Sequence, residues 1–428
     1  MNQWTRNVLG SVVMASLLGL CFSSQVSAGE WALVGARYQG MGGAGVATVN
    51  DSFASYWNPA ALAQAQSYDA AINFGALASV EGDALQVIDN IEELFDQTDV
   101  DGIIDDINDG IFPVPGGPEE QALDELLKEL EKLGEDGIGV IGTGSTGLNL
   151  RWQRYAVFSR GVADFAVDPT YDDENVEFDN GPNSIVDNES GARVRGLAVI
   201  ETGVGYGHSF FDGMVSVGAN LKYMHGITYS KYVGYRTIED AELDFGDSDL
   251  RKESGDVGLD LGIMYKPFDF LQVGMVARNV NSPKFKTDND GTDPNRRKNF
   301  QLDAQVRAGA AYYPFSNDTL VIATDLDLTE NETDLLDGFK SRHWAIGAEY
   351  KLPFEVVSVA LRGGGYMNTV SSANNAFVLT GGLGFRVWLL SLEVAGGASP
   401  TKTEIEADGD DYPNRVNFSA VLAIRGTF

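Results

Sequence analysis

Near the end of the chain, apolar and polar positions alternate without a break. Val416, Phe418, Ala420, Leu422, Ile424, Gly426 and Phe428 fall on one side, and Asn417, Ser419, Val421, Ala423, Arg425 and Thr427 on the other. A period of two is that of an extended strand, whose successive side chains point to opposite faces. The same period recurs upstream. Val215, Val217, Ala219, Leu221 and Tyr223 oppose Ser216, Gly218, Asn220 and Lys222, and Val257, Leu259, Leu261 and Ile263 oppose Asp256, Gly258, Asp260 and Gly262. Leu302 to Tyr312, Trp344 to Lys351 and Phe377 to Val387 repeat it. The polar face carries charge or glycine each time. A polar-lined lumen explains that better than a dry sandwich core.

Fourteen such segments are predicted, at about 68–80, 143–152, 154–166, 194–210, 213–229, 255–266, 270–281, 301–313, 317–328, 341–351, 354–367, 375–386, 387–398 and 415–428. Their connections alternate in length. Gln153, Phe211-Asp212, Lys266–Phe268, Pro314–Asn317 and Leu352-Pro353 are short; 81–142, 167–193, 230–254, 282–300 and 399–414 are long. Short turns at one end and long loops at the other are the asymmetry of outer-membrane barrels. Aromatics gather at the short turns: Tyr265, Phe268 and Phe270; Tyr312, Tyr313 and Phe315; Tyr350 and Phe354; Tyr206, Phe210 and Phe211. Such rings favour a membrane–water boundary, so they predict a periplasmic girdle. The expected fold is all-β, a 14-stranded antiparallel transmembrane β-barrel over 67–428.

The long stretch 81–142 breaks the strand period. Leu123, Leu126, Leu127, Leu130 and Leu133 recur at helical spacing, and Ile88, Ile91, Leu94 and Phe95 form a second stripe. Pro113-Val114-Pro115-Gly116-Gly117-Pro118 separates the two expected helices. This predicts a helical extracellular insertion. Residues 1–28 have a different pattern: Arg6, an apolar run from about Val8 to Phe22, then Val26-Ser27-Ala28. That order is a cleavable export signal, which predicts a diderm bacterium's outer membrane. A chain ending on Phe428 predicts delivery by the barrel assembly machinery, with outer-membrane lipid around the finished wall.

Composition narrows the chemistry. Thirty Lys and Arg against 62 Asp and Glu give a formal charge of −32 over 428 residues. Phosphate neutralisation needs clustered cations, so nucleic-acid binding is not expected. The lone Cys21 falls in the export signal, and three separated His, His208, His225 and His343, make no metal site. No cofactor and no metal is expected. Asp288-Asn289-Asp290-Gly291-Thr292-Asp293 and Asp99, Asp101, Asp105 and Asp106 resemble calcium loops faintly, without the later bidentate Glu. No Cys nucleophile or Gly-x-Ser-x-Gly elbow is present, so an enzyme is not expected. Arg278, Arg307, Arg362, Arg386 and Arg425 lie on the inward series and are the candidate ligand-binding groups, since a guanidinium fork suits carboxylate or phosphate. The competing reading pairs them with Asp256, Asp260, Asp303, Asp325, Glu349 and Glu393 across the wall.

Residues 35–63 carry a distinctive run: Gly35-Ala36-Arg37, Met41-Gly42-Gly43-Ala44 and Trp57-Asn58-Pro59-Ala60-Ala61-Leu62-Ala63. The glycines superficially fit a dinucleotide fingerprint, but no strand of a βαβ unit precedes them. The stretch resembles the N-terminus of FadL-type outer-membrane transporters of long-chain fatty acids. It is also similar to the conjugal-transfer TraF-like branch and to PorV-like secretion-associated barrels. The resemblance implies that 29–66 forms a hatch inside the barrel, with Gly42, Gly43, Asn58, Pro59 and Ala60 as its residues. It implies passive uptake of hydrophobic small molecules, of the long-chain fatty-acid or hydrocarbon class, through a plugged lumen. The alternative it implies is a barrel that binds a protein partner of a secretion or conjugation assembly at its extracellular loops. One departure stands out: the loops 230–254 and 282–300 are largely polar, which sets them apart from loops that capture fatty acids.

Overall fold

The computed structural model describes residues 29–427 apart from 65–66, 180, 238–249, 288–298, 316–317, 355, 371–376 and 406–409. The expected export signal, the terminal Phe428 and the Asp288–Asp293 run therefore lie outside the described residues.

Fourteen strands close into one antiparallel barrel in sequence order. They are β1 Ser67–Glu81, β2 Gly139–Trp152, β3 Tyr155–Thr170, β4 Gly191–Phe210, β5 Val215–Gly234, β6 Arg251–Phe268, β7 Leu271–Arg278, β8 Gln305–Tyr312, β9 Leu320–Asp327, β10 His343–Pro353, β11 Val357–Asn368, β12 Val378–Val387, β13 Leu390–Ala398 and β14 Arg415–Thr427. The last strand pairs with the first, Ser67 opposite Thr427 and Ser79 opposite Arg415, so no edge is left open. Outward positions carry Ile72, Phe74, Leu221, Leu379, Leu383, Leu422 and Ile424, all exposed. Inward positions carry Asn73, Asn149, Arg160, Glu201, Lys222, Asp260, Glu349 and Glu393, all buried. This inversion is that of a barrel whose solvent outside is hydrocarbon.

The wall is uneven. β4 and β5 run 20 residues, whereas β7, β8 and β9 run 8 each. A tilted strand needs about 9–11 residues to cross a bilayer, so the β7–β9 side is low. Loop segments fold over the lumen there, including a small hairpin of Lys284–Lys286 with Asn299–Gln301.

Short turns join the strands at one end. Gln153, Phe211, Asp212 and Trp388 take positive φ there, as twisted two-residue hairpin turns require. The alternation missed the last of these: Trp388-Leu389 is a turn between β12 and β13 and not part of a strand. The aromatics Tyr206, Phe210, Phe268, Phe270, Tyr312, Phe315, Tyr350 and Phe354 stay exposed around this end, joined by Trp152, Tyr155 and Trp388. Tyr313 departs from the expected girdle and packs inward beside Met41 and Ala44. Pro267 falls where the β6–β7 register shifts, so its missing N–H costs no regular ladder bond.

The opposite end carries the insertion. It holds three helices where two were expected: α3 Ala84–Gln97, α4 Val100–Asn108 and α5 Pro118–Leu133. The added one is the short acidic α4, whose Asp101, Asp105 and Asp106 belong in sequence to a faint likeness to a calcium loop. Its Val100, Ile104 and Ile107 pack on Leu123, Leu126 and Leu130 of α5. No described helix is long and apolar enough to cross a membrane.

Candidate functional site

The lumen is filled in layers, and the lowest is the N-terminal segment. Two short helices, α1 Ala36–Gly40 and α2 Ala54–Trp57, and a 3-10 turn over Pro59–Ala63 run through it, nearly all buried. Backbone meets backbone on both flanks. A Cβ on Gly347 would lie 2.2 Å from the Met41 carbonyl oxygen, and one on Gly218 would lie 2.2 Å from the Pro59 carbonyl. Gly42 has φ of +66°, and its Cβ would meet Gly365 at 2.4 Å, so glycine is required there on both counts.

Directional bonds complete this seat. Asn58 is fully buried; its amide nitrogen donates to Val46 O at 3.2 Å, Ile263 O at 3.2 Å and Met275 O at 3.4 Å. Its Oδ1 accepts from Ala60 N at 3.1 Å and so starts the 3-10 turn that Pro59 opens. One Asn thus ties the chain to itself and to β6 and β7. Asp325 on β9 accepts from Gly45 N and Val46 N, both at 2.8 Å. Arg151 donates to Asn50 O at 2.9 Å and Ala61 O at 3.2 Å, and Gln272 to Ala47 O at 2.7 Å. Trp31, Tyr38, Phe53, Tyr56 and Trp57 form the segment's aromatic core.

The second layer is charged. Glu201 on β4 takes Lys222 at 2.9 Å, Arg278 at 3.3 Å and Arg160 at 3.6 Å, and Lys222 also reaches Asp260 at 3.0 Å. Beside Arg37 of the N-terminal segment, toward the short-turn end, Glu349 holds Arg37 at 3.0 Å and Arg362 at 2.8 Å, while Glu393 holds Arg362 at 3.0 Å and Arg425 at 2.5 Å. Arg307 pairs with Asp327 at 2.5 Å and lies over the Trp31 ring at 4.5 Å. Glu30, at the start of the described segment, is clasped by Arg415 and by His343 Nε2 at 3.2 Å. Burial alone would raise the Glu30 carboxyl, but the Arg415 guanidinium and His343 hold it below its ordinary value.

The third layer is apolar, and the sequence reading missed it. Ile141, Ala166, Leu197, Val199 and Met224 face inward from β2 to β5, directly above the charges. Phe285, Phe300, Leu335, Leu336 and Phe339 descend on them from two loops. Phe285 fits over Gly226, where a Cβ would meet the ring at 2.2 Å. The signal was present: Leu197 and Val199 continue the inward series that Glu201, Gly203 and Gly205 begin. Above this layer Arg195 closes the rim, paired with Asp168 at 2.9 Å and Asp337 at 3.2 Å, and donating to Asp334 O at 2.7 Å.

A barrel with a buried N-terminal segment in its lumen and helices at its long-loop end has relatives in sequence. Residues 55–327 match the family described as the TraF protein of the F plasmid transfer operon. The chain belongs to that family. No curated protein matches it in sequence. Among solved structures, a ΔS2S3 mutant of the monoaromatic hydrocarbon channel TodX is similar, with a TM-score of 0.50, 11% identity, and 92% of this chain and 99% of that one covered. The Ralstonia pickettii toluene transporter TbuX gives 0.48, 14%, 92% and 98%, and a Pseudomonas aeruginosa FadL homologue 0.45, 14%, 94% and 98%. The likeness is one of fold alone, a closed 14-stranded antiparallel barrel.

The five inward arginines of this TraF-family barrel do not converge on one site. Arg278 and Arg307 flank Trp31 at mid-lumen. Arg362, Arg386 and Arg425 line a cavity of about 380 Å³ near the short-turn end, with Arg37, Lys351, Glu349, Glu393 and Asp69. Four of the five are engaged by wall carboxylates. Arg386 instead donates to the carbonyls of Trp388 at 3.0 Å and Arg425 at 3.1 Å. Gly42, Gly43, Asn58, Pro59 and Ala60 are all buried but fall on two flanks of the segment, Gly42 against Gly365 of β11 and Asn58 and Pro59 against Gly262 of β6. Three of the four acids in the described calcium-like run have other partners: Arg236 takes Asp101 at 2.9 Å and Asp105 at 2.8 Å, and Asp99 caps α4 through Gly102 N at 3.0 Å. Among the described residues no cluster of three or more metal-ligating side chains occurs.

Proposed function

We propose that this TraF-family barrel sits in an outer membrane and passes neutral apolar small molecules, with residues 29–66 as the hatch. The observation that carries this is the apolar inner layer of Ile141, Leu197, Val199 and Met224 under Phe285, Phe300 and Phe339. A water-filled pore has no use for such a layer, whereas an apolar solute needs somewhere to leave water. The solute would displace loop side chains there and exchange one apolar surface for another.

Charge favours a neutral solute over a fatty carboxylate. The chain carries −32, and its inward arginines at 278, 307, 362 and 425 already hold acids. A carboxylate ligand would have to displace one of those buried partners, which leaves a charge unpaired. The alternative of a barrel that serves only to bind a partner asks for an exposed apolar stripe on the cap helices, but their Leu123, Leu126 and Leu130 are buried, which leaves a partner only the loop between α4 and α5.

The test is accumulation of labelled toluene, hexadecane and oleate in a diderm host with and without the barrel. Toluene or hexadecane should accumulate faster with it, and oleate should not. Equal accumulation of all three in both strains sinks the transport reading. N-terminal sequencing of the outer-membrane fraction should begin at Gly29, as cleavage after Ala28 requires.

A further inference from the structure

The helical cap buries its stripes but not the loop between α4 and α5. Ile111 is 62% exposed, Phe112 51% and Val114 70%. This is not a frayed segment. Gly110, at φ of +82°, ends α4, with Gly110 N donating to Ile107 O at 3.0 Å and Ile111 N to Asp106 O at 2.8 Å. That is a Schellman ending, in which the residue after the left-handed glycine ordinarily folds its apolar chain back onto the helix. Here the residue it would meet is Asp106, so Ile111 has no apolar surface to cover. Pro113 and Pro115 stiffen the run, Gly117 N closes on Val114 O at 2.7 Å, and Glu120 caps Gly116 N. Three large apolar side chains are thereby held out in water on a fixed loop.

Their surroundings have one sign. Residues 82–127 hold 14 Asp or Glu and no Lys or Arg. Asp106, Asp109 and Glu119, all exposed, flank the tip, and no ion pair among the described residues reaches them. Arg236 balances only Asp101 and Asp105, lower on the cap. A second copy of this acidic chain is repelled, and so is a membrane surface rich in phosphate. What fits is a cationic protein surface with an apolar pocket: the tip fills the pocket and the acids meet its rim, the usual division of labour at an interface.

We propose that the 109–119 tip docks a basic protein partner through Ile111, Phe112 and Val114. This does not rest on the transport reading, since the tip lies on the cap and not in the lumen. The test uses the full barrel in lipid nanodiscs. The probe is a labelled 20-residue amphipathic helix with Lys on one face and Leu on the other, with Ser-for-Leu and Glu-for-Lys versions as controls. The Lys/Leu peptide should bind, and both controls should bind at least about tenfold more weakly. Ile111→Asn, Phe112→Ser and Val114→Asn combined should weaken the Lys/Leu peptide by about the same factor, and Asp106→Asn with Asp109→Asn should flatten its salt dependence. Val114→Asn alone, which leaves the helix ending untouched, should give a smaller loss of the same kind. Equal binding to native and tip variants would mean charge alone attracts the peptide, and overturns the proposal. A photo-crosslinker at position 112 in whole cells should join a basic protein, with loss of the adduct in the Asp106→Asn, Asp109→Asn background. Adducts to lipid or to a second copy also overturn it.

Discussion

Among the described residues the lower lumen and the mouth are both filled, by opposite means. Below, the N-terminal segment lies backbone against backbone on wall glycines, and Asn58 and Asp325 fix it with buried hydrogen bonds. Above, rings from two loops rest on an apolar inner wall. Buried hydrogen bonds are directional and costly to leave unmade. Apolar contact is neither: any hydrocarbon can replace another at little cost. On the proposed transport reading, the mouth is therefore the part that yields to an apolar solute, while the seat below moves as a unit. The barrel has one closure set by chemistry that any hydrocarbon satisfies and another set by shape.

The comparison breaks most severely at Gly347. A side chain there meets the Met41 carbonyl, which is backbone and cannot rotate aside. Gly347→Val should cost about 3 kcal/mol or more, the upper end of overpacking, and should unseat the segment without opening the wall. Single-channel recording in planar bilayers should show an open, polar pore in place of a closed one. A variant as closed as the native barrel would mean that the seat tolerates what the geometry forbids. Asn58→Ala comes next. It strips the donor from three carbonyls and the acceptor from Ala60 N, at a cost of about 2 kcal/mol. Limited proteolysis should then cut the 29–66 segment while the wall stays intact. Unchanged protection would show that shape alone holds the seat.

Much of this architecture was legible in the sequence, for a physical reason. A lipid-facing outer surface and a polar inner one force the period-two pattern on every strand, and short turns force aromatic and positive-φ residues at one end. All fourteen strands followed from that. The Trp388-Leu389 turn did not, because two apolar residues between two apolar strand ends leave no break in pattern. The helix Val100–Asn108 was hidden because its three packing residues sit among acids that dominate its composition. Ion pairing was legible as a class, since inward arginines need inward acids. The partners were not, because register decides them: Arg362 meets Glu349 directly across β10–β11. The apolar inner layer was missed because its wall half and its loop half lie far apart in sequence, Met224 and Phe285 being the nearest pair, and neither half is unusual alone.

At the mouth, Phe285→Leu should have a smaller effect than either change below. Leucine keeps the site apolar and removes part of the ring over Gly226, a cost of about 1 kcal/mol. The expected outcome is faster accumulation of toluene with no change in pore conductance. If the substitution instead opens the pore to ions, the two closures are coupled and the contrast drawn above fails.

The smallest effect expected is at Arg386. Its guanidinium reaches two carbonyls near the short-turn end and no carboxylate among the described residues. Removing it strands no buried charge, so Arg386→Gln should change stability by about 0.5 kcal/mol or less. Arg362→Gln, by contrast, leaves Glu349 and Glu393 each short of a partner inside the wall. That should cost about 3 kcal/mol, and any loss of transport would be confounded with loss of fold. Arg386 is thus the inward arginine whose replacement separates ligand binding from architecture. It lines the 380 Å³ cavity together with Arg37 of the segment, so an anionic solute held there would touch both the wall and the N-terminal segment. If oleate accumulation is absent in the native barrel and stays absent in Arg386→Gln, the cavity serves no carboxylate, and the arginines are what their partners make them: ties across the wall. Oleate uptake that depends on Arg386 would reverse the preference for neutral solutes while leaving the barrel and its two closures as they stand.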